Sequence, residues 1–141
     1  MIAFSEVLTD GALAQLQSLS LGANNIGDVD LIALSNAFSN VRGGLAQLKM
    51  LHLEANIIGN AGMIAFSEAV AAKALPALIK LNLESNFISD DGLISLANAC
   101  NEGALANITS ILIGNNNATE VGKNAMRNVA NSRRNLRVEL E

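Results

Sequence analysis

Leu78-Ile-Lys-Leu-Asn-Leu-Glu-Ser-Asn86 carries leucine at its first, fourth and sixth positions and ends in asparagine. The same spacing returns at residues 16–24, 48–56 and 108–116, with starts 32, 30 and 30 residues apart. A period of this length marks a stack of like coils and not a closed globule. Within each copy the paired apolar slots are Leu19/Leu21, Leu51/Leu53, Leu81/Leu83 and Ile111/Ile113. They alternate with mostly polar residues, the period-two pattern of a short strand buried on one side. Asn24, Asn56, Asn86 and Asn116 follow where the chain must turn. A side-chain amide both donates and accepts, so a stacked ladder of them would satisfy buried peptide groups that a leucine could not.

After each asparagine the period changes. Ile26, Ile58, Ile88 and Ala118 come two residues on, and Gly62, Gly92 and Gly122 stand six residues on, with Asp30 as the departure. Apolar residues then recur at helical spacing: Leu31, Leu34, Phe38; Met63, Phe66, Val70; Leu93, Leu96, Cys100; and more weakly Lys123, Met126, Ala130. Such spacing puts them on one face of a helix. Asp28, Asn60, Ser89 or Asp90, and Thr119 are the expected N-caps. Leu45, Leu75 and Leu105 close each coil inward, and Pro76 lies in a link where it breaks no element.

A coil of strand, turn, helix and return loop cannot bury its own apolar face, and stacking supplies the missing neighbour. Parallel strands sit about 4.8 Å apart, whereas packed helices need roughly 8–10 Å. The stack must therefore bend with its strands inside. The expected fold is α/β: a solenoid in the form of a right-handed horseshoe with a concave parallel sheet and convex helices. One domain over 1–141 divides into a partial repeat at 1–15, repeats at 16–47, 48–77, 78–107 and 108–134, and an edge strand at 135–141. In that last stretch Val138 and Leu140 take the paired slots, and Arg137 and Glu139 would guard the edge as a cap.

These repeats resemble leucine-rich repeat proteins of the ribonuclease-inhibitor-like class, in which long helices line the convex side. That class includes nucleotide-binding immune receptors, inhibitors and the Ran GTPase-activating proteins. The resemblance implies protein–protein recognition through the concave sheet and its rims, without catalysis. An alternative within the resemblance is a GTPase-activating or other regulatory module similar to the Ran family.

The concave side is expected to display Ser18, Ser20, Gly22; Met50, His52, Glu54; Lys80, Asn82, Glu84; Ser110, Leu112, Gly114; and Arg137, Glu139, Glu141. Of these, Met50, His52, Glu54, Lys80, Asn82, Glu84, Ser110 and Leu112 are the expected partner contacts, because they mix apolar and charged groups. His52 with Glu54 and Glu84 also admits a metal or acid–base reading. One histidine with two carboxylates is a weak zinc signal, and a shallow sheet offers little enclosure, so no metal, cofactor or catalytic residue is expected.

Composition bounds the rest. Half the residues are apolar, aromatics are 3%, and Trp and Tyr are absent, so the core is aliphatic. Residues 1–119 hold four Lys/Arg against ten Asp/Glu, and residues 120–141 five against three, for a net charge of −4. An acidic body argues against nucleic-acid binding, which needs clustered cations against phosphate. Arg127, Arg133, Arg134 and Arg137 read as a solvated end of the array. No apolar run approaches the ~20 residues of a membrane span, the first ten residues lack a basic leader region, and Cys100 has no partner for a disulfide. These features suggest a cytoplasmic protein with no membrane contact, in which the sequons at Asn107 and Asn117 are chance matches. Met1-Ile-Ala-Phe-Ser-Glu6 duplicates Met63-Ile-Ala-Phe-Ser-Glu68. The chain thus reads as entering inside a repeat, either cut from a longer array or open to end-to-end self-association there.

Overall fold

A computed structural model of the protein describes residues 14–40 and 45–141. The duplicated hexapeptide and nearly all of the partial repeat at 1–15 lie outside these residues, as does the expected association through that end. Among these residues five strands alternate with four helices: β1 (Ser18–Ser20), α1 (Asp28–Asn40), β2 (Met50–His52), α2 (Asn60–Ala71), β3 (Lys80–Asn82), α3 (Asp90–Asn101), β4 (Ser110–Leu112), α4 (Glu120–Ser132) and β5 (Arg137–Glu139). The strands form one parallel sheet in chain order. Its register aligns Leu19, Leu51, Leu81, Ile111 and Val138 in a single row.

That row, with Leu53, Leu83 and Ile113 beside it, faces the helices. Leu51, Leu53, Leu81, Leu83 and Ile111 are fully removed from solvent, as are Leu34, Met63, Phe66, Leu96 and Met126 from the helices. Each such side chain contributes roughly 1.5–3 kcal/mol relative to an exposed one. In α4 the inward set shifts by one residue: Val129 is buried and Ala130 only partly so.

The turn after each strand is the same. Ala23, Ala55, Ser85 and Asn115 take left-handed backbone angles (φ 54–57°) immediately before the asparagine. Asn56 then donates to the carbonyls of Leu21, Leu53 and Glu54, and its Oδ1 accepts the N–H groups of Asn24 and Ile26 at 2.9 Å. Asn86 serves Leu53, Leu83, Glu84 and Ile58 likewise, and Asn116 serves Leu83, Ile113, Gly114 and Ile88. Each asparagine thereby ties its own turn to the coil before it. Asn24 differs, being exposed and, among the described residues, donating only to Gly22 O.

Thr119 caps α4 as expected, its hydroxyl accepting the Val121 N–H at 3.2 Å, and Ser89 holds the cap position of α3. The other helix starts depart from expectation. Asp28, Asn60 and Asp90 are the first helical residues and not the caps; α2 is capped by Gly59 and α3 by Ser89, neither through a side chain. Their side chains reach forward instead. Asp28 Oδ1 accepts the N–H groups of Gly59 and Gly62, Asn60 Oδ1 those of Ser89 and Gly92, and Asp90 Oδ1 those of Thr119 and Gly122 (2.8–3.0 Å). One coil therefore satisfies the open N–H groups at the start of the next helix. This explains the recurring glycine: a Cβ at Gly62 would stand 2.8 Å from Asp28 Oδ1, and at Gly122 2.6 Å from Asp90 Oδ1. In the first coil Asp30 replaces that glycine, and its Oδ2 accepts the Gly27 N–H from within the same helix.

The last coil closes differently as well. Leu75 and Leu105 turn inward at φ 53° and accept a hydrogen bond from the residue three ahead. Arg133 makes the equivalent turn to Leu136, but with an extended backbone (φ −122°). Its guanidinium donates to Leu105 O and Ala104 O at 2.7 Å, and to Cys100 O. The expectation of a solvated residue is thus corrected for Arg133. It is half-buried because the shorter return loop brings it over the carbonyls of the last turn of α3 and of the link that follows.

Candidate functional site

Parallel register sets the sheet's outer side chains in rows across the coils. The first row is Ser18, Met50, Lys80, Ser110 and Arg137, and the second is Ser20, His52, Asn82, Leu112 and Glu139. Ladder bonds continue past the strand ends, from Ala23 N to Glu54 O, Ala55 N to Glu84 O and Ser85 N to Gly114 O (2.9–3.0 Å). They extend a third row of Gly22, Glu54, Glu84 and Gly114, with Glu141 lying against Gly114. The residues expected to contact a partner therefore share one surface.

They are not equally available. Met50 is 42% exposed and is the large apolar group of the surface, whereas Asn82 is 9% exposed and its Oδ1 accepts the Glu84 N–H. Asn82 is thus largely withdrawn into the sheet. His52, Glu54, Lys80, Glu84, Ser110 and Leu112 are half-buried. The Glu54 carboxyl folds over Gly22, where an added Cβ would meet it at 3.0 Å, and the missing side chain leaves it room. His52 Nδ1 lies 3.7 Å from Glu54 Oε2, beyond hydrogen-bond distance, and that oxygen has no other partner among the described residues. Among the described residues no three His, Cys, Asp or Glu side chains converge on a metal-sized site. Cys100 sits in the core, where burial raises its thiol pKa against the opposing pull of Arg133.

Sequence reasoning named the rims of the sheet without assigning residues to them. Ile57 and Phe87 directly follow Asn56 and Asn86, on the rim joining strand ends to helix starts. They are 52% and 56% exposed. Their coils are pinned side by side by Ile57 N to Ile26 O at 2.9 Å and Phe87 N to Ile58 O at 2.8 Å. The signal was present as two successive apolar residues after Asn56 and after Asn86, only the second of which the core requires.

A family model described as Leucine Rich repeat matches residues 14–35 and 76–97, each a strand with the first part of the helix that follows. These coils are leucine-rich repeats. Together with the parallel sheet and alternating helices, they make the fold an α/β leucine-rich repeat solenoid. Leucine-rich repeats generally mediate contact between proteins and serve as non-enzymatic scaffolds. No curated protein matches the chain. No helix among the described residues is long and apolar enough to cross a membrane.

Proposed function

We propose that this protein is a non-catalytic recognition scaffold of the ribonuclease-inhibitor-like class, holding a partner protein against its concave sheet. The observation that carries this reading is the contrast between the two sides of the strands. The inward row is Leu19, Leu51, Leu81, Ile111 and Val138, whereas the outward row beside it runs Ser18, Met50, Lys80, Ser110 and Arg137. A fixed apolar spine supports outward side chains that differ from coil to coil, as a rigid surface for one specific partner requires. Met50 supplies an apolar centre, flanked by the opposite charges of Lys80 and of Glu54 and Glu84.

A photo-crosslinking side chain placed at Met50 tests this, with the same group at Ile64 on the convex helix α2 as comparison. Adducts to one protein from Met50 alone, followed by loss of its binding in Glu54→Lys and Lys80→Glu, are the expected result. Equal capture from Ile64, or binding untouched by both charge reversals, would sink the reading. Adding the chain to GTP-loaded GTPases in the same experiments tests the regulatory alternative, and faster hydrolysis would favour it.

A further inference from the structure

We infer that the rim joining strand ends to helix starts, centred on Ile57 and Phe87, docks a second kind of contact: a basic segment of a partner protein with apolar anchors. This goes beyond the concave-face reading, since it is centred on different residues, with Glu54 and Glu84 bordering both surfaces. The two side chains lie on neighbouring coils in the row Asn25, Ile57, Phe87 and Asn117, whose backbones are joined coil to coil at 2.8–2.9 Å. Both are more than half exposed, although the chain has only four phenylalanines. Ile57 lies flat over Gly27, where an added Cβ would meet its side chain at 3.6 Å. Val29 and Val121, at 77% and 63% exposed, add apolar surface at the starts of α1 and α4.

Charge identifies the occupant. The rim segments 22–30, 54–62, 84–92 and 114–122 contain seven Asp/Glu (Asp28, Asp30, Glu54, Glu84, Asp90, Asp91 and Glu120) and no Lys or Arg. Among the described residues only Glu120 of this set pairs with a Lys or Arg, through Arg127 at 2.7 Å. The Asp90 carboxyl is held below its ordinary pKa, chiefly by the Thr119 hydroxyl, and stays negative at neutral pH. The described cations lie in the strands, the return links and α4. Two apolar side chains on neighbouring coils, in rim segments that carry carboxylates and no Lys or Arg, complement a segment whose apolar residues are flanked by Lys and Arg. The apolar pair would anchor it, while the carboxylates steer it and reject acidic competitors.

The probe is a short synthetic peptide with two leucines flanked by Lys and Arg, titrated while backbone amide shifts are followed by NMR. Two counterparts accompany it, one with Glu for the cations and one with Ser for the leucines. The inference expects saturable binding of the first peptide alone, with shifts centred on Ile57 and Phe87. Affinity should fall roughly tenfold in Phe87→Ser, as for loss of an interface anchor, and should weaken as salt screens the carboxylates. Lys80→Glu on the concave row should leave this binding in place, which separates it from the proposed concave contact. Ile57 and Phe87 are exposed, so their serine variants should retain the native circular dichroism. Equal binding of the acidic peptide, no saturable binding, or shifts confined to the concave rows would each overturn the inference. So would a concentration-dependent dimer abolished by Phe87→Ser, which would assign the rim to a second copy of the chain.

Discussion

Asp90 Oδ1 accepts the N–H of Gly122 across the gap between two coils at 3.0 Å, and a methyl group on Gly122 would collide with it. The collision is with backbone as well as side chain, because Asp90 Cα would lie 2.9 Å away. Gly122→Ala should therefore destabilise the protein by about 1–3 kcal/mol, as overpacking does, although alanine is the better helix former by roughly 1 kcal/mol. Urea unfolding of the two proteins checks the sign, and a more stable alanine variant would refute the close approach.

The same aspartate should make stability depend on acid. The Thr119 hydroxyl donates to Oδ2 at 2.6 Å and the Thr119 and Gly122 N–H groups donate to Oδ1, which lowers the carboxyl pKa from its ordinary 3.8. A carboxyl held lower when folded stabilises the protein above its unfolded pKa and loses that contribution as pH falls through the folded value. Asp90→Asn keeps the accepting oxygen, as Asn60 does in the coil before, where Nδ2 donates to Ser89 Oγ. Melting temperatures between pH 6 and 2 should then fall less steeply in Asp90→Asn than in the native protein. Identical slopes would remove Asp90 from the acid response.

The asparagine ladder should be unequal along its length. Asn86→Ala strands the buried Ile58 N–H and removes one of two side-chain donors from each of the Leu53 and Leu83 carbonyls, which keep those of Asn56 and Asn116. An orphaned buried N–H costs about 1–3 kcal/mol, so a loss in that range is expected. Asn24→Ala removes one exposed bond to Gly22 O and should cost less than about 1 kcal/mol. Chemical denaturation of both variants decides the ranking, and equal losses would contradict the geometry.

Arg133 should be required as an arginine. Its guanidinium reaches three carbonyls at once, so Arg133→Lys should recover little of the roughly 2–3 kcal/mol lost in Arg133→Ala. Hydrogen exchange of the α3 C-terminal turn and β4 in the two variants reads this locally. Full rescue by lysine would reduce Arg133 to a point charge.

Strand positions, core leucines and helix faces were legible in the residues because they rest on short-range periodicity. What escaped was whatever depends on a partner about thirty residues away. Asp28 and Asn60 look like caps of their own helices by any local rule, yet they serve the helix that follows. Arg133 looks like one more surface cation until the shortened return loop carries it onto α3. Asn82 belongs to the outward alternation, but its bond to Glu84 draws it in, which alternation alone does not register. Ile57 and Phe87 fill no slot of the repeat pattern, and only the buried places of Ile58 and Ile88 reveal that their neighbours are surplus to the core.

The asparagines reach toward the preceding coil and the helix-start residues toward the following one, so each junction between the four helix-bearing coils is cross-stitched from both sides by the same few atoms. A cassette such as 60–89, duplicated in frame, would meet at each seam the neighbours it already has. Lengthening or shortening the array by whole units therefore breaks no bond of a new kind. The reach of the recognition surface can be altered by copying a segment, without redesigning the joint.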